Sequence, residues 1–321
     1  MRLLAAGALA LMSTLVMAQA PLNVIVFPGG QNLALWAAER QGFFQANGVR
    51  VTLTPTPSST FQMQGLAEGR FDIAMTAFDN VVAYQEGQGE AKIPDNPDMF
   101  AFVGSDNGFL SVLGGKGVKS FADLKGRKLS VDALTTGFAF VLRELLAKNG
   151  IAESDVSFER VGGLVERFQE LMKGTHAATV VLTPFDLIGQ AKGHLQLARA
   201  DEQLGAYLGV VGAARHSWAR QNEQALVGFI RAYRQGVLFL YENPDIAEAL
   251  LVANVRAMTP ALAKQSLPIL LGDKTGFYKD VRLDAQGAQT VLALRSKYTG
   301  KPLGDPGKYM DASYRDKALG R

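Results

Sequence analysis

The chain contains 321 residues, of which 48% are hydrophobic, and its formal net charge at pH 7 is +3. This length favours two lobes over a single core, and a near-neutral surface without a basic block argues against nucleic acid as a partner. The sequence has no cysteine, which excludes disulfides, a thiolate nucleophile and a lipid-modified cysteine.

Residues 1–18 are predicted to form a secretory signal peptide. Arg2 supplies a short positive region, and residues 3–16 are an apolar run too short to span a bilayer comfortably. We expect cleavage after Ala18, because cleavage after Ala20 would leave Pro21 beside the scissile bond. An uncleaved membrane anchor is the alternative. An exported chain with no second long apolar run is expected to be soluble in the periplasm.

Strands and helices alternate through the first two thirds of the chain, and helices follow. The predicted strands cover residues 22–27, 49–53, 71–76, 100–103, 110–113, 128–131, 156–161, 177–182 and 209–213. The predicted helices cover residues 32–46, 59–69, 81–88, 137–149, 164–172, 222–241, 244–254, 259–271 and 284–297. This alternation favours parallel strand pairing with right-handed crossovers, hence an α/β fold. Two such series, separated by a glycine-rich crossing, indicate two lobes with a cleft between them.

Small polar and aromatic residues occupy the strand-to-helix loops of both series. In α/β sheets ligands lie beyond the carboxyl ends of the strands, where helix N-termini offer unpaired N–H groups. No nucleophile–base pair accompanies these loops, so the pattern is typical of a binding site rather than a catalytic one. The candidate ligand-binding residues are Gln31, Asn32, Ser58, Ser59, Phe78, Asp79, Asn80, Thr135, Thr136, Gly137, Phe138, Gly163, Arg167, Thr183, Phe185 and Asp186.

Each candidate also has a purely structural explanation. The serines and threonines could be helix caps, which stabilise by about 1 kcal/mol each. Arg167 could neutralise an anionic ligand or lie solvated on its helix. Asp79 and Asp186, if buried in the cleft, would repel a dianion and favour ligand N–H or hydroxyl donors. The phenylalanines indicate a flat or apolar part of the ligand.

Four short segments carry a resemblance to a known family. They are residues 36–44 with Gly48 and Val49, residues 66–74, residues 120–128 and residues 171–174, which read WAAERQGFF, GV, LAEGRFDIA, SFADLKGRK and LMKG. In this order and spacing they resemble the type II periplasmic substrate-binding proteins of ABC importers. The nearer likeness is to the branch that serves aliphatic sulfonates, taurine and thiamine-pyrimidine precursors.

The resemblance implies an organisation and a set of partners. Each lobe would be a mainly parallel sheet flanked by helices, with lobe one formed by residues 21–104 plus 214–321 and lobe two by residues 105–213. A small molecule would be captured by closure about residues 104–108 and 209–212. The closed monomer would then dock on an ABC permease in the inner membrane, without metal or cofactor. One departure is Thr183-Pro184-Phe185-Asp186, where many relatives have an aromatic-Asp-Pro element.

The sequence therefore predicts a periplasmic solute-binding protein. Its ligand is expected to be small, either aromatic or heterocyclic or bearing a sulfonate or carboxylate. Two alternatives stay open: an enzyme of pyrimidine-type biosynthesis on the same scaffold, and a binding protein that reports to a membrane sensor. The sequence contains no HExxH or GxSxG motif, and His176, His194 and His216 are scattered, which disfavours catalysis.

Overall fold

A computed structural model describes residues 19–94 and 97–321, so the predicted signal peptide over residues 1–18 lies outside the described residues. The strands are β1 Ala20–Val26, β2 Val49–Pro55, β3 Ile73–Ala77, β4 Met99–Gly104, β5 Leu110–Gly114, β6 Lys128–Val131, β7 Ser157–Arg160, β8 Ala178–Leu182, β9 Gln196–Arg199 and β10 Val210–Arg215. The helices are α1 Leu33–Arg40, α2 Phe43–Ala46, α3 Ser59–Ala67, α4 Phe78–Gln85, α5 Gly137–Lys148, α6 Leu164–Lys173, α7 Phe185–Gln190, α8 Ala200–Leu204, α9 His216–Gln221, α10 Glu223–Glu242, α11 Pro244–Asn254, α12 Pro260–Leu270, α13 Ala285–Thr299 and α14 Ser313–Leu319.

The strands form two five-stranded sheets, each at the centre of one lobe. Their orders are β2-β1-β3-β10-β4 and β7-β6-β8-β5-β9. In the first sheet β10 pairs antiparallel with both β3 and β4, and in the second sheet β5 pairs antiparallel with both β8 and β9. The other four strands of each sheet share one direction. The predicted α/β class with two mainly parallel sheets is therefore confirmed, with one reversed strand in each.

The second sheet is inserted between the last two strands of the first. Strands β5 to β9 all lie between β4 and β10 in the chain. The chain therefore crosses from the first sheet after Gly104 and has returned to it at Val210. The lobe boundary predicted at residue 213 falls inside β10, a strand whose buried apolar residues belong to the first sheet.

Local sequence explains the elements that carry the loops of interest. Strands β3 and β8 are almost continuously buried, and their residues are accordingly apolar or small, as expected for central strands covered on both faces. Helix α6 buries Leu164, Phe168 and Leu171 on one face and keeps Glu170 on the other. These elements fix the carboxyl ends of the strands in space.

Several predicted boundaries differ from the structure. The helix predicted over residues 32–46 is interrupted, because Gly42 adopts a left-handed conformation with φ of 72° between α1 and α2. Helix α4 begins at Phe78 rather than Val81, which places Asp79 within its first turn. The short elements missed from the sequence are α7, β9, α8, α9 and α14. None of the helices in the described part of the chain is long and apolar enough to cross a membrane.

The crossings between the lobes are tied together by one buried carboxylate. Asp106 Oδ1 accepts hydrogen bonds from Gly108 N (2.8 Å) and Val210 N (3.2 Å), so it joins the outgoing and returning strands. Burial raises the pKa of Asp106 to about 6. A Cβ on Gly209 would lie 2.2 Å from the Gly108 Cα, so the two crossings touch through their backbones.

Candidate functional site

A cavity lies between the two sheets, at the carboxyl ends of strands from both. Its empty volume is about 540 Å³, of which about 40 Å³ is open to the centre of a water molecule. The first value includes solvent at the mouth of the cavity, and the second shows that the lobes enclose the space closely. The lining residues are Phe27, Gln31, Met75, Thr76, Ala77, Asn80, Asp132, Thr136, Gly137, Phe138, Leu164, Arg167, Leu182 and Val210.

Arg167 is the cation of the cavity and is held rigidly by its own lobe. It is 3% exposed, and its Nε donates to Gly162 O (3.1 Å) and Gly163 O (3.3 Å) while its Nη1 donates to Val180 O (2.8 Å). Burial lowers the pKa of Arg167 from its ordinary value, and the nearby Asp132 carboxylate opposes that effect. The guanidinium plane is therefore fixed before any ligand arrives.

Asp132 is the acid of the cavity and follows β6 directly. Its Oδ2 accepts a hydrogen bond of 2.9 Å from Ser59 N, the first residue of α3 in the other lobe. Its Oδ1 is enclosed and has no partner among the described residues. Burial raises the pKa of Asp132, partly offset by Arg167 and by the Ser59 N–H.

Two amide side chains complete the polar part of the wall. Gln31 Nε2 donates to Phe27 O (2.8 Å), which leaves the enclosed Gln31 Oε1 without a donor among the described residues. Asn80 Nδ2 donates to Thr76 Oγ1 (2.9 Å), and both residues are buried. These bonds orient each amide, so the positions of its oxygen and nitrogen follow from the network.

The remaining wall is apolar. Phe27, Met75, Leu164 and Leu182 line the cavity from strand ends and the start of α6, and the half-buried ring of Phe138 lines it from the first turn of α5. Such a wall accommodates a hydrocarbon or aromatic part of a ligand, while the few polar groups orient its polar end.

The two lobes contact each other beside the cavity. Besides the Ser59–Asp132 bond, Gly163 N donates to Pro57 O over 2.7 Å. A Cβ on Gly163 would lie 2.9 Å from that carbonyl oxygen, which explains the glycine at this close approach. The described conformation is therefore a closed one.

Glu90 forms a second contact between the lobes. Its Oε1 accepts hydrogen bonds from Leu134 N (2.6 Å) and Thr135 N (3.3 Å), and its Oε2 lies 2.7 Å from Arg160 Nε. One side chain from the segment after α4 thus accepts hydrogen bonds from two backbone N–H groups of the loop that leads into α5, on the opposite lobe.

A buried ion pair formed by helix α13 makes a third contact between the lobes. Arg295 donates to both carboxylate oxygens of Asp79 (2.7 and 2.5 Å), and its Nη2 also donates to Thr135 O (2.6 Å). Arg295 and Asp79 are 0% and 1% exposed. Helix α13 therefore connects the first turn of α4 to the loop before α5.

Six of the sixteen candidate residues line the cavity, and they come from both lobes. They are Gln31, Asn80, Thr136, Gly137, Phe138 and Arg167. The structure thus brings residue 80 and residues 136–138 to one shared space.

The other candidates of lobe one lie next to the cavity wall and have structural partners. Asp79 is paired with Arg295, and Phe78 is fully buried against Tyr309. Asn32 donates to Phe27 O, Ser58 caps α3 by accepting from Phe61 N, and Ser59 contributes its N–H to Asp132.

The other candidates of lobe two also have partners within the protein. Gly163 and Thr135 make the contacts between lobes described above. Asp186 is buried and accepts from the Thr183 and Ser111 hydroxyls, and burial raises its pKa. Phe185 packs edge-on against Phe168 and faces a separate groove. The shifted Thr183-to-Asp186 element therefore lies outside the cavity lining.

Sequence reasoning missed several lining residues, above all Asp132. The others are Phe27, Met75, Thr76, Ala77, Leu164, Leu182 and Val210. Asp132 and Phe27 are each the first residue after a strand, so the rule that ligands lie at carboxyl ends of strands could have found them. The candidate residues predicted in this loop begin at Thr135, three residues after Asp132.

A larger and more open groove lies between α6, α7 and the end of α11. Its empty volume is about 1190 Å³, yet it lacks converging buried polar groups of the kind found in the first cavity. We therefore place the candidate site in the smaller cavity. No group of three or more potential metal ligands occurs in residues 19–94 and 97–321.

Comparison with solved structures defines the class of fold. A protein from Bordetella bronchiseptica has 22% sequence identity and a TM-score of 0.77, covering 94% of this chain and 98% of that one. The periplasmic nitrate-binding protein NrtA from Synechocystis has 15% identity and a TM-score of 0.77, with 94% and 89% coverage. The alkanesulfonate-binding protein SsuA from Xanthomonas axonopodis, bound to MOPS, has 15% identity and a TM-score of 0.72, with 93% and 97% coverage.

This is the two-lobed fold of periplasmic binding proteins. The NMT1/THI5 like family matches residues 31–247, which is more than half of the chain. The chain belongs to the NMT1/THI5 like family. No curated protein sequence matches it.

Proposed function

We propose that the protein is the solute-binding component of an ABC importer and acts in the periplasm as a monomer. It captures a small molecule in the cavity between its sheets and then presents the closed form to a permease in the inner membrane. The observation that carries this proposal is the cavity itself. It is lined from strand ends of both lobes and bordered by hydrogen bonds that join them.

Closure is the mechanistic centre of the proposal. The lobes pivot about the crossings near residues 104–108 and 209–212, and opening breaks the Ser59–Asp132 and Glu90–Leu134 hydrogen bonds. A ligand that contacts both walls favours the closed state by its differential contacts. The names of the similar nitrate-binding and alkanesulfonate-binding proteins support a ligand-binding role for this family member, and a similar structure from Staphylococcus aureus is named as the ligand-binding component of an ABC-type import system.

Binding without chemical conversion is the second part of the proposal. Among the described lining residues, Asp132 and Arg167 are the charged ones, and Thr76 and Thr136 carry hydroxyls. The histidines have other partners: His194 bonds to Gly114 O, and His216 stacks on a phenylalanine. The Thr136 hydroxyl donates to Ala133 O (3.0 Å) and the Thr76 hydroxyl accepts from Asn80 Nδ2 (2.9 Å), so neither is bonded to the Asp132 carboxylate. A hydroxyl that is not paired with a base is a poor nucleophile, so the cavity is better suited to hold a ligand than to transform it.

Two measurements test the proposal. Native mass spectrometry of freshly purified protein should show a co-purifying small molecule, released on denaturation and chemically unchanged. Small-angle scattering should show a smaller radius of gyration with that ligand than after its removal. Superimposable curves for the two forms would contradict lobe closure, and conversion of the released molecule by the protein would contradict a purely binding role.

A further inference from the structure

Some hydrogen-bonding groups of the cavity have no protein partner, and these groups indicate the chemistry of the ligand. The two carboxylate oxygens of Asp132 differ in their hydrogen bonding. Oδ2 accepts a hydrogen bond from Ser59 N of the other lobe over 2.9 Å, whereas Oδ1 of this cavity-lining residue is enclosed and has no donor among the described residues. A buried acceptor without a partner is destabilising, and more so when it is charged, so a hydrogen-bond donor on a ligand would stabilise this atom.

Gln31 carries a second enclosed acceptor. Its Nε2 is fixed on Phe27 O at 2.8 Å, and its Oε1 is enclosed without a donor among residues 19–94 and 97–321. Gln31 lines the same cavity and is 4% exposed. This oxygen lies against Gly29, which is not among the residues that line the cavity, so the open acceptor of the cavity is Asp132 Oδ1.

Arg167 limits what such a ligand can be. Its Nε and Nη1 are used by backbone carbonyls of its own lobe, and no described atom accepts from its Nη2. Asp132 and Arg167 attract each other, although no ion pair joins them among the described residues. The cavity therefore holds one positive and one negative side chain.

This arrangement disfavours both kinds of ion. An oxyanion would set its negative charge against an Asp132 oxygen already short of donors, and a cation would meet the fixed guanidinium of Arg167. A neutral group that carries an N–H donor beside an oxygen or ring-nitrogen acceptor suits both side chains. Its donor can bond to the Asp132 carboxylate, and its acceptor can face the Arg167 guanidinium.

We propose that Asp132 makes this site, within the solute-binding function proposed above, selective for uncharged amide-like ligands over carboxylates and sulfonates. Primary amides, lactams and related heterocycles present the required donor and acceptor on one edge. The apolar wall formed by Phe27, Phe138 and Leu182 takes the rest of the molecule. Asp132 is a specificity-determining residue in this proposal, and the same carboxylate joins the lobes through Ser59.

Calorimetric titration with matched ligands tests the selectivity. One series is acetamide, acetate and methanesulfonate, and the other is benzamide, benzoate and benzenesulfonate, so that only the polar group changes within a series. We expect the amide to bind at least about tenfold more tightly than its oxyanion partners, because juxtaposed like charges are strongly unfavourable.

The variant D132N isolates the carboxylate. Asparagine keeps an oxygen for Ser59 N but replaces the open acceptor by an N–H donor, so the preference for the amide should fall to less than about threefold or reverse. D72N is the matched control, because Asp72 also accepts a backbone N–H (from Asn23, 2.8 Å) but lies outside the cavity. It should keep the preference of the unmodified protein.

The outcomes separate this inference from the function on which it rests. If oxyanions bind the unmodified protein as tightly as the amides, or if D132N retains the full preference, the inference is wrong and the solute-binding function stands. If no member of either series binds, and no small molecule co-purifies, both are wrong. Should D132N fail to fold, the ranking of ligands by the unmodified protein still decides.

Discussion

Replacing Arg295 by methionine should destabilise the protein strongly. Arg295 and Asp79 are 0% and 1% exposed, and both carboxylate oxygens accept from the guanidinium. Methionine has a similar length but leaves the Asp79 carboxylate buried without a counter-charge. Breaking a buried pair in this way costs about 3–5 kcal/mol. The hydrogen bond to Thr135 O on the opposite lobe is lost as well.

Urea unfolding measures the effect. The midpoint should fall with little change in slope, and the melting temperature should drop by roughly 6–15 °C. The control is Lys297→Met on the same helix, where a half-exposed ammonium is paired with Glu144. That change should cost less than about 1 kcal/mol, because surface pairs contribute little.

A double variant tests the reasoning itself. Replacing both partners, Asp79→Leu with Arg295→Met, removes the stranded charge, and apolar replacements of buried pairs are often neutral. The double variant should therefore be more stable than R295M alone, with a coupling of at least about 2 kcal/mol. A loss below about 1 kcal/mol in R295M, or simple addition of the two single effects, would refute this account of the pair.

Three further predictions concern the crossings and the contact between lobes. Burial raises the pKa of Asp106 to about 6, so protonated Asp106 stabilises the fold fully below about pH 4, and this stabilisation is lost as the pH rises through 6. In urea unfolding at a series of pH values, D106N should remove about 2–3 kcal/mol of this pH dependence. Gly209→Ala places a Cβ 2.2 Å from backbone and should cost about 1–3 kcal/mol by thermal melting, whereas Gly304→Ala, with open space around it, should be neutral within about 0.5 kcal/mol. Glu90→Gln should enlarge the open population in scattering without ligand while Glu68→Gln does not; identical curves for the two variants would contradict a role in closure.

Much of the fold follows from patterns in the sequence. Continuous apolar runs gave the central strands β3 and β8, and helical periodicity gave α5, α6, α10 and α11 within a residue or two. Elements of four to seven residues, such as α7, α8 and β9, have too few turns or alternations to produce a period. The reversed direction of β10 was also hidden, because strand direction depends on tertiary pairing.

The candidate site was less accessible from sequence. Helix-start loops identified Asn80, Thr136 and Phe138, which do line the cavity. Asp79 carries the same local signal as Asn80, but its partner Arg295 lies 216 positions away, and no local pattern reveals such a pair. Whether the candidate residues touch ligand stays a prediction for the titrations described above.

The insertion of one sheet within the other has a consequence for how the chain acquires its structure. All strands of the second sheet lie in one continuous stretch between Leu110 and Arg199, so their pairing closes comparatively short loops. The first sheet is complete only when β10 (Val210–Arg215) pairs between β3 and β4, and β10 begins more than one hundred residues after β4 ends. The inserted half should thus nucleate early, while the enclosing half waits for a long-range pairing that is slower to find.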